Sequence, residues 1–240
     1  MQVKNIPLNE RIIFALDVST LEQAKELVRI LESETAFFKV GLQLFLAAGF
    51  EIVEWLTIRG LKVMLDLKFY DIPKTVELAV DQLGGRDITF ATVHGNRAIM
   101  EAAARASADV GILAVTVLTS LGQDDMEEMG TSIPIEELVI RRAVAARDAG
   151  CVGVVCSPQE VAMVRSKTGD ELVLVTPGVR PENVSGPGRD DQARFATPYD
   201  AIINGSDHLV IGRPIKEAKH PLEALKAIKD EVSRALRAIN

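Results

Sequence analysis

Short, continuous apolar runs alternate along the chain with longer stretches in which apolar residues recur every three or four positions. The short runs are Ile12–Leu16, Phe37–Val40, Lys62–Leu67, Ile88–Val93, Ile112–Leu118, Gly153–Val155, Leu172–Val175 and His208–Ile211. They do not alternate apolar with polar, which is the pattern of strands covered on both faces in a parallel sheet. In the first intervening stretch Thr20 stands where it can cap a helix. Gln23 falls at the third position, and Leu21, Ala24, Leu27, Val28 and Leu31 form the apolar stripe. The same reasoning predicts helices over Phe50–Ile58, Pro73–Leu83, Ala98–Ser107, Ile135–Ala149, Gln159–Ser166, Pro198–Asn204 and Pro221–Ala238, the last with proline in its first turn. Strand–helix units at intervals of roughly 25–30 residues predict an α/β fold, a (β/α)8 TIM barrel, ahead of an open doubly wound sheet. No linker or low-complexity tract interrupts the series, so residues 1–240 read as a single catalytic barrel domain. The stretch Gly178–Arg194, rich in Gly, Pro and charge, reads as a long loop after the seventh strand, and loops of that length in a compact domain usually carry function.

Composition narrows the function without naming it. Apolar residues make up 48% of the chain and aromatic ones only 5%, so the core is mainly Val, Ile, Leu and Ala. The formal net charge of −7 makes a poor partner for a nucleic-acid backbone, yet leaves room for a small anionic ligand held by local donors. No apolar run reaches the length of a membrane span, and the first residues lack a signal-peptide core, so a cytoplasmic protein is expected. Cys151 and Cys156, five residues apart along one apolar run, are expected to point to opposite faces as buried, unlinked thiols, in keeping with a reducing compartment.

In a barrel the chemistry sits at the C-terminal ends of the strands. Nearly every predicted strand delivers a polar residue there: Asp17, Lys39, Asp66 and Lys68 followed by Asp71, His94, Thr119 and Ser120, Arg180, and Gly212 with Arg213. A charge at a strand end can be no more than a solvated turn, and His94 can be a satisfied structural imidazole. Lys39 is harder to dismiss, because Phe37, Phe38 and Val40 embed it in an apolar strand where it needs a carboxylate partner. Asp17 on the neighbouring strand is the obvious one. Asp66 and Lys68, two apart on a strand, share a face, and Asp71 offers a second carboxylate that can share the lysine. Such an array keeps a lysine protonated and sets up a strong local field. Gly212 and Arg213 after the eighth strand, with Arg180 and Gln192 from the preceding loop, suit a phosphate.

Together these motifs resemble the orotidine 5′-phosphate decarboxylase family across essentially the whole chain. The most specific match is Leu65-Asp-Leu-Lys-Phe-Tyr-Asp-Ile-Pro73, the family's D-x-K-x-x-D-I-P signature. Phe38-Lys-Val-Gly41, Thr116-Val-Leu-Thr-Ser120, Val175-Thr-Pro-Gly-Val-Arg-Pro181 and Val210-Ile-Gly-Arg-Pro214 match further blocks in order. Tyr70 departs from the family pattern, which usually has His or a similar residue there, and Gln192 rests on a short match in a loop of variable length. The resemblance implies a homodimeric barrel that needs neither metal nor cofactor. It implies that Lys68 gives the proton to C6 and that Asp66 stands near the departing carboxylate. It further implies that Asp71, Ile72 and Thr75 reach into the partner's site, and that Asp17 and Lys39 hold the ribose hydroxyls. Thr119 and Ser120 would meet the pyrimidine, and Arg180, Gln192, Gly212 and Arg213 the phosphate. Two rivals remain. A related barrel that holds an enediolate on Mg²⁺ resembles this chain in D-x-K-x-x-D but carries a glutamate on strand two where Lys39 stands. A non-catalytic sugar-phosphate binder would not need Lys68 among carboxylates.

Overall fold

The computed structural model describes residues 4–106, 109–181 and 196–239. Eight parallel strands close into a barrel in sequence order. They are β1 (Ile12–Ala15), β2 (Phe37–Gly41), β3 (Lys62–Phe69), β4 (Phe90–His94), β5 (Gly111–Val115), β6 (Gly153–Val155), β7 (Val173–Thr176) and β8 (His208–Ile211). The ring is sealed by β1 against β8, with Ile13 opposite Val210. All eight expected strands are present, β6 and β8 with the expected bounds and the others with ends shifted by one to three residues. The largest shift is in β5: Thr116, Val117 and Leu118 lie past its end, where the Thr116 amide and hydroxyl both donate to Val155 O.

Helix α1 (Leu21–Leu31) starts at the expected Thr20, whose hydroxyl accepts from Gln23 N. The expected helices recur as α3 (Phe50–Ile58), α4 (Pro73–Asp81), α5 (Arg97–Ala106), α7 (Ile135–Asp148), α8 (Val161–Thr168), α9 (Pro198–Ile203) and α11 (Pro221–Ile239). Three short helices had no predicted counterpart: α2 (Leu42–Ala48), α6 (Gln123–Glu128) and α10 (Arg213–Lys216). Helix α2 follows β2 without a polar break, and α10 has only four residues, too few to show a period.

Because successive strand residues face opposite ways, the apolar interior divides in two. Phe14, Phe38, Val63, Leu65 and Ala114 belong to the large layer between barrel and helices. Ile13, Phe37, Met64, Leu113, Val115, Val155 and Val175 fill the barrel itself. Cys151 and Cys156 both join the outer layer, which corrects the expectation of opposite faces. Strand β6 spans only residues 153–155, so both cysteines lie in its flanking turns, where pleat alternation does not apply. Both are unlinked, and burial pushes the Cys151 thiol up to about 12 and raises that of Cys156.

The floor of the barrel is aromatic. Phe37 and Phe90 lie 5.6 Å apart between ring centroids, and each meets the His208 ring edge-on at 5.5 and 5.8 Å. His208 Nδ1 donates to Glu10 O at 2.8 Å, which places the hydrogen of the neutral ring on Nδ1. Burial lowers the His208 pKa, outweighing the opposing pull of the Glu10 carbonyl and Asp207. An imidazole that titrates lower in the fold than in the unfolded chain binds fewer protons when folded. Stability is therefore complete above the ordinary histidine value of about 6.5 and falls as pH drops through it toward the folded value. Urea midpoints measured at about pH 7.5 and about pH 5.5 should differ in the wild type, and His208→Asn should flatten that slope, with His94 accounting for part of the remainder. An unchanged slope in the variant would show that His208 is not the group titrating.

Candidate active site

The same alternation that points Ile13, Phe37, Met64 and Phe90 into the barrel carries their strands upward to Ala15, Lys39, Asp66 and Thr92 on the inner face. Lys39 is paired in register with Ala15 on one side and Met64 on the other. Its Nζ lies 2.9 Å from Asp17 Oδ1 and 3.5 Å from Asp66 Oδ2. The other oxygen, Asp66 Oδ1, lies 2.9 Å from Lys68 Nζ and accepts from the Thr92 hydroxyl at 3.0 Å. The result is an unbroken row of alternating charge, Asp17–Lys39–Asp66–Lys68, across the barrel mouth. Gly41 makes room for it: a Cβ there would stand 2.9 Å from Lys39 Nζ.

Lys39 and Asp66 are buried, Lys68 is half-buried and Asp17 is exposed. Burial alone would drive both buried groups toward neutrality. For Lys39 the carboxylates of Asp66 and Asp17 outweigh burial and raise its pKa. For Asp66 the ammoniums of Lys39 and Lys68 outweigh it and hold the carboxyl below its ordinary value. Both remain charged.

Lys68 does not sit on a regular strand. Its φ is +49°, in the left-handed region that a residue with a side chain enters at a cost. The ladder between β3 and β4 pairs Leu65 with Ala91 and next Phe69 with Val93, so β3 bulges between them. The Lys68 amide, inside the bulge, donates to the Thr92 hydroxyl at 2.9 Å. The expected shared face of Asp66 and Lys68 is present, reached through this distortion rather than through a flat strand.

Asp71 and its neighbours go elsewhere. Asp71 is exposed and its Oδ1 accepts from Ile72 N at 2.6 Å. Among the described residues the only carboxylate paired with Lys68 is that of Asp66, so Asp71 does not share the lysine within one chain. Ile72 and Thr75 are exposed beside it, at the start of α4. His94, at the end of β4, lies under the Tyr70 ring at 4.6 Å. Burial, Arg142 and Lys68 lower its pKa, in that order of effect.

A cavity of about 250 Å³ opens over the row. Its lining includes Asp17, Lys39, Asp66, Lys68 and Thr119 together with Arg180, Gly212 and Arg213 from the β7 and β8 side. Ser120, next to Thr119, is exposed outside this lining. Gly212 lets the end of β8 approach β1, since a Cβ there would meet Ala15 Cβ at 3.1 Å. Arg180 is fixed by its amide, which donates to Ala196 O at 3.0 Å. Gln192 lies outside the described residues. The carboxylates of the row are each held by ammoniums, and among the described residues no group of three or more His, Cys, Asp or Glu is placed to hold a metal ion. Thr92 was missed in the sequence. Its only signal there is its place two residues before His94 in the fourth strand, which gives it the inward parity.

This arrangement combines a fixed cation beside a carboxylate with a cationic far wall, which suits an anionic substrate that develops more negative charge as it reacts. An orotidine 5′-phosphate decarboxylase of Methylococcus capsulatus is 47% identical over 230 residues, covering 95% of this chain and 94% of that one. One from Nitrobacter winogradskyi is 46% identical, covering 95% of each. The crystal structure of orotidine 5′-phosphate decarboxylase from Lactobacillus acidophilus superposes with a TM-score of 0.81 at 36% identity, covering 93% of this chain and 99% of that one. The family model described as orotidine 5′-phosphate decarboxylase / HUMPS family matches residues 10–228, and the chain belongs to that family.

Proposed function

We propose that the protein converts orotidine 5′-phosphate to UMP in pyrimidine biosynthesis, using neither metal nor organic cofactor. The observation that carries this reading is the row of alternating charge Asp17–Lys39–Asp66–Lys68 at the barrel mouth, with Lys39 and Asp66 buried at its centre. In the reaction the bond from C6 to the carboxylate carbon breaks, carbon dioxide leaves, and the electron pair stays on C6. No neighbouring group in the pyrimidine absorbs that charge. Lys68 supplies a cation already in place where charge develops, and its ammonium then gives the proton to C6. Asp66 holds Lys68 in position and sets a negative charge near the substrate carboxylate. Lys39 and Asp17 bind the ribose hydroxyls, Thr119 and Ser120 meet the pyrimidine, and Arg180, Gln192, Gly212 and Arg213 take the phosphate. The phosphate is remote from C6, so its binding energy acts by ordering the site.

The reading includes a homodimer with shared sites. Asp71 accepts from the Ile72 amide and is not paired with its own Lys68, and exposed Leu42, Leu46, Tyr70, Ile72 and Leu78 follow the neighbouring strands β2 and β3. A second copy across this face would cover that apolar surface and bring Asp71, Ile72 and Thr75 to the other chain's row. A cytoplasmic location accords with the two buried, unlinked thiols, and no helix among the described residues is long and apolar enough to cross a membrane.

The direct test is the absorbance change as orotidine 5′-phosphate becomes UMP, followed with and without EDTA. Turnover should be indifferent to the chelator; loss of activity with EDTA would favour a metal-dependent relative, and no turnover would leave only a binder. Arg213→Ala should lower kcat/KM for orotidine 5′-phosphate while affecting orotidine, which lacks the phosphate, far less. Equal proportional losses on both would remove Arg213 from the phosphate site. Lys68→Ala should retain less than about a tenth of wild-type turnover, since fixed cation and proton donor are lost together. Asp71→Ala homodimers should be nearly inactive as well. Co-expressing these two variants with different tags should restore about a quarter of wild-type activity per chain, because half the dimers are mixed and each has one intact site. Tagged mixed dimers with no activity above either parent would confine Asp71 to its own subunit.

A further inference from the structure

Thr92 lies on β4 inside the barrel, fully buried, with a hydroxyl that serves both halves of the Asp66–Lys68 pair. Its Oγ accepts from the Lys68 amide at 2.9 Å and its O–H donates to Asp66 Oδ1 at 3.0 Å. The same Asp66 oxygen receives Lys68 Nζ at 2.9 Å. Backbone, hydroxyl, carboxylate and ammonium thus close into one ring of hydrogen bonds. The ring lies within the β3 bulge, where Lys68 holds φ +49°. A left-handed lysine persists only when its surroundings over-determine it, and the bulge directs its amide to a side chain rather than to a ladder carbonyl. Thr92 is the group that meets this amide.

We infer that Thr92 is a positioning residue for decarboxylation: its hydroxyl fixes the left-handed turn at Lys68 and the rotamer of Asp66 together, which aims the ammonium at the reacting carbon. This rests on the decarboxylase reading and goes beyond it. Thr92 is absent from the lining of the cavity, so it acts through Asp66 and Lys68 and not by touching substrate. Because the hydroxyl locks a backbone conformation and a side chain at once, its loss frees two groups by one change. A small displacement of a proton donor has a large effect on rate and a smaller effect on binding, most of which is made by the distant phosphate contacts.

The test compares Thr92→Val, which keeps the shape and removes the hydroxyl, with Thr92→Ser, which keeps the hydroxyl. Valine should lower kcat for orotidine 5′-phosphate by about ten- to a hundredfold with KM changed less than about threefold, while serine stays within about threefold of wild type in both. Native-state hydrogen exchange gives a readout independent of turnover: the Lys68 amide should be protected in wild type and in the serine variant, and exchange faster in the valine variant. If the valine variant does not fold, Thr92→Ala against Thr92→Ser is judged on the same criteria. A valine variant with wild-type kcat, a serine variant as impaired as valine, or a loss shared equally by kcat and KM would each overturn the inference. A wild type that does not act on orotidine 5′-phosphate would overturn the decarboxylase reading itself, an outcome distinct from an active wild type whose Thr92 variants are unimpaired.

Discussion

One carboxylate organises the mouth of this barrel. Asp66 is buried and lies between the ammoniums of Lys39 and Lys68, and the buried Lys39 keeps its charge through Asp66 and Asp17. Taking an ion out of water costs several times what a surface pair returns, and the cost is met only where the geometry satisfies every charge at once. Three features of the local structure follow from that requirement. Position 41 is glycine because a side chain would occupy the path of Lys39. Position 92 carries a hydroxyl at the remaining Asp66 oxygen. The strand is broken between Leu65 and Phe69 so that Lys68 reaches the same oxygen. Removing Asp66 would leave a buried and a half-buried cation next to each other, with Asp17 paired to Lys39 alone.

The distortion at Lys68 belongs to the same logic. A regular strand would set Asp66 and Lys68 side by side, both projecting straight inward. The bulge instead turns the lysine's own backbone, so that its side chain doubles back within 2.9 Å of a carboxylate two residues away. Barrel enzymes place strain at the strand ends because the remaining ladder, here closed on all sides, holds the ring together regardless of one irregular pair.

Much of this was legible in the residues. Continuous apolar runs located the eight strands, because the barrel buries both faces of each, and Thr20 located the start of α1 because a cap has a local chemical signature. Lys39 with Asp17, and Asp66 with Lys68, were legible because a charge inside an apolar strand demands a partner and parity says where it points. The rest depended on three-dimensional facts without local signatures. Thr92 looks like any β-branched strand residue until the neighbouring strand bulges. Helices α2 and α10 are too short to show a period. That Asp71 turns to the Ile72 amide and not to Lys68 is decided by the turn before Pro73, which spacing along the chain does not encode.

The aromatic floor made by Phe37, Phe90 and His208 has a consequence for traffic. Below the charged row the barrel holds Ile13, Met64, Leu113 and these rings, and the one imidazole among them has its Nδ1 hydrogen committed to Glu10 O. Among the described residues the barrel is a blind-ended vessel, closed at its floor and open at the mouth where the charged row stands. If Lys68 gives its proton to a bound substrate as proposed, its recharging from the medium waits for the site to empty.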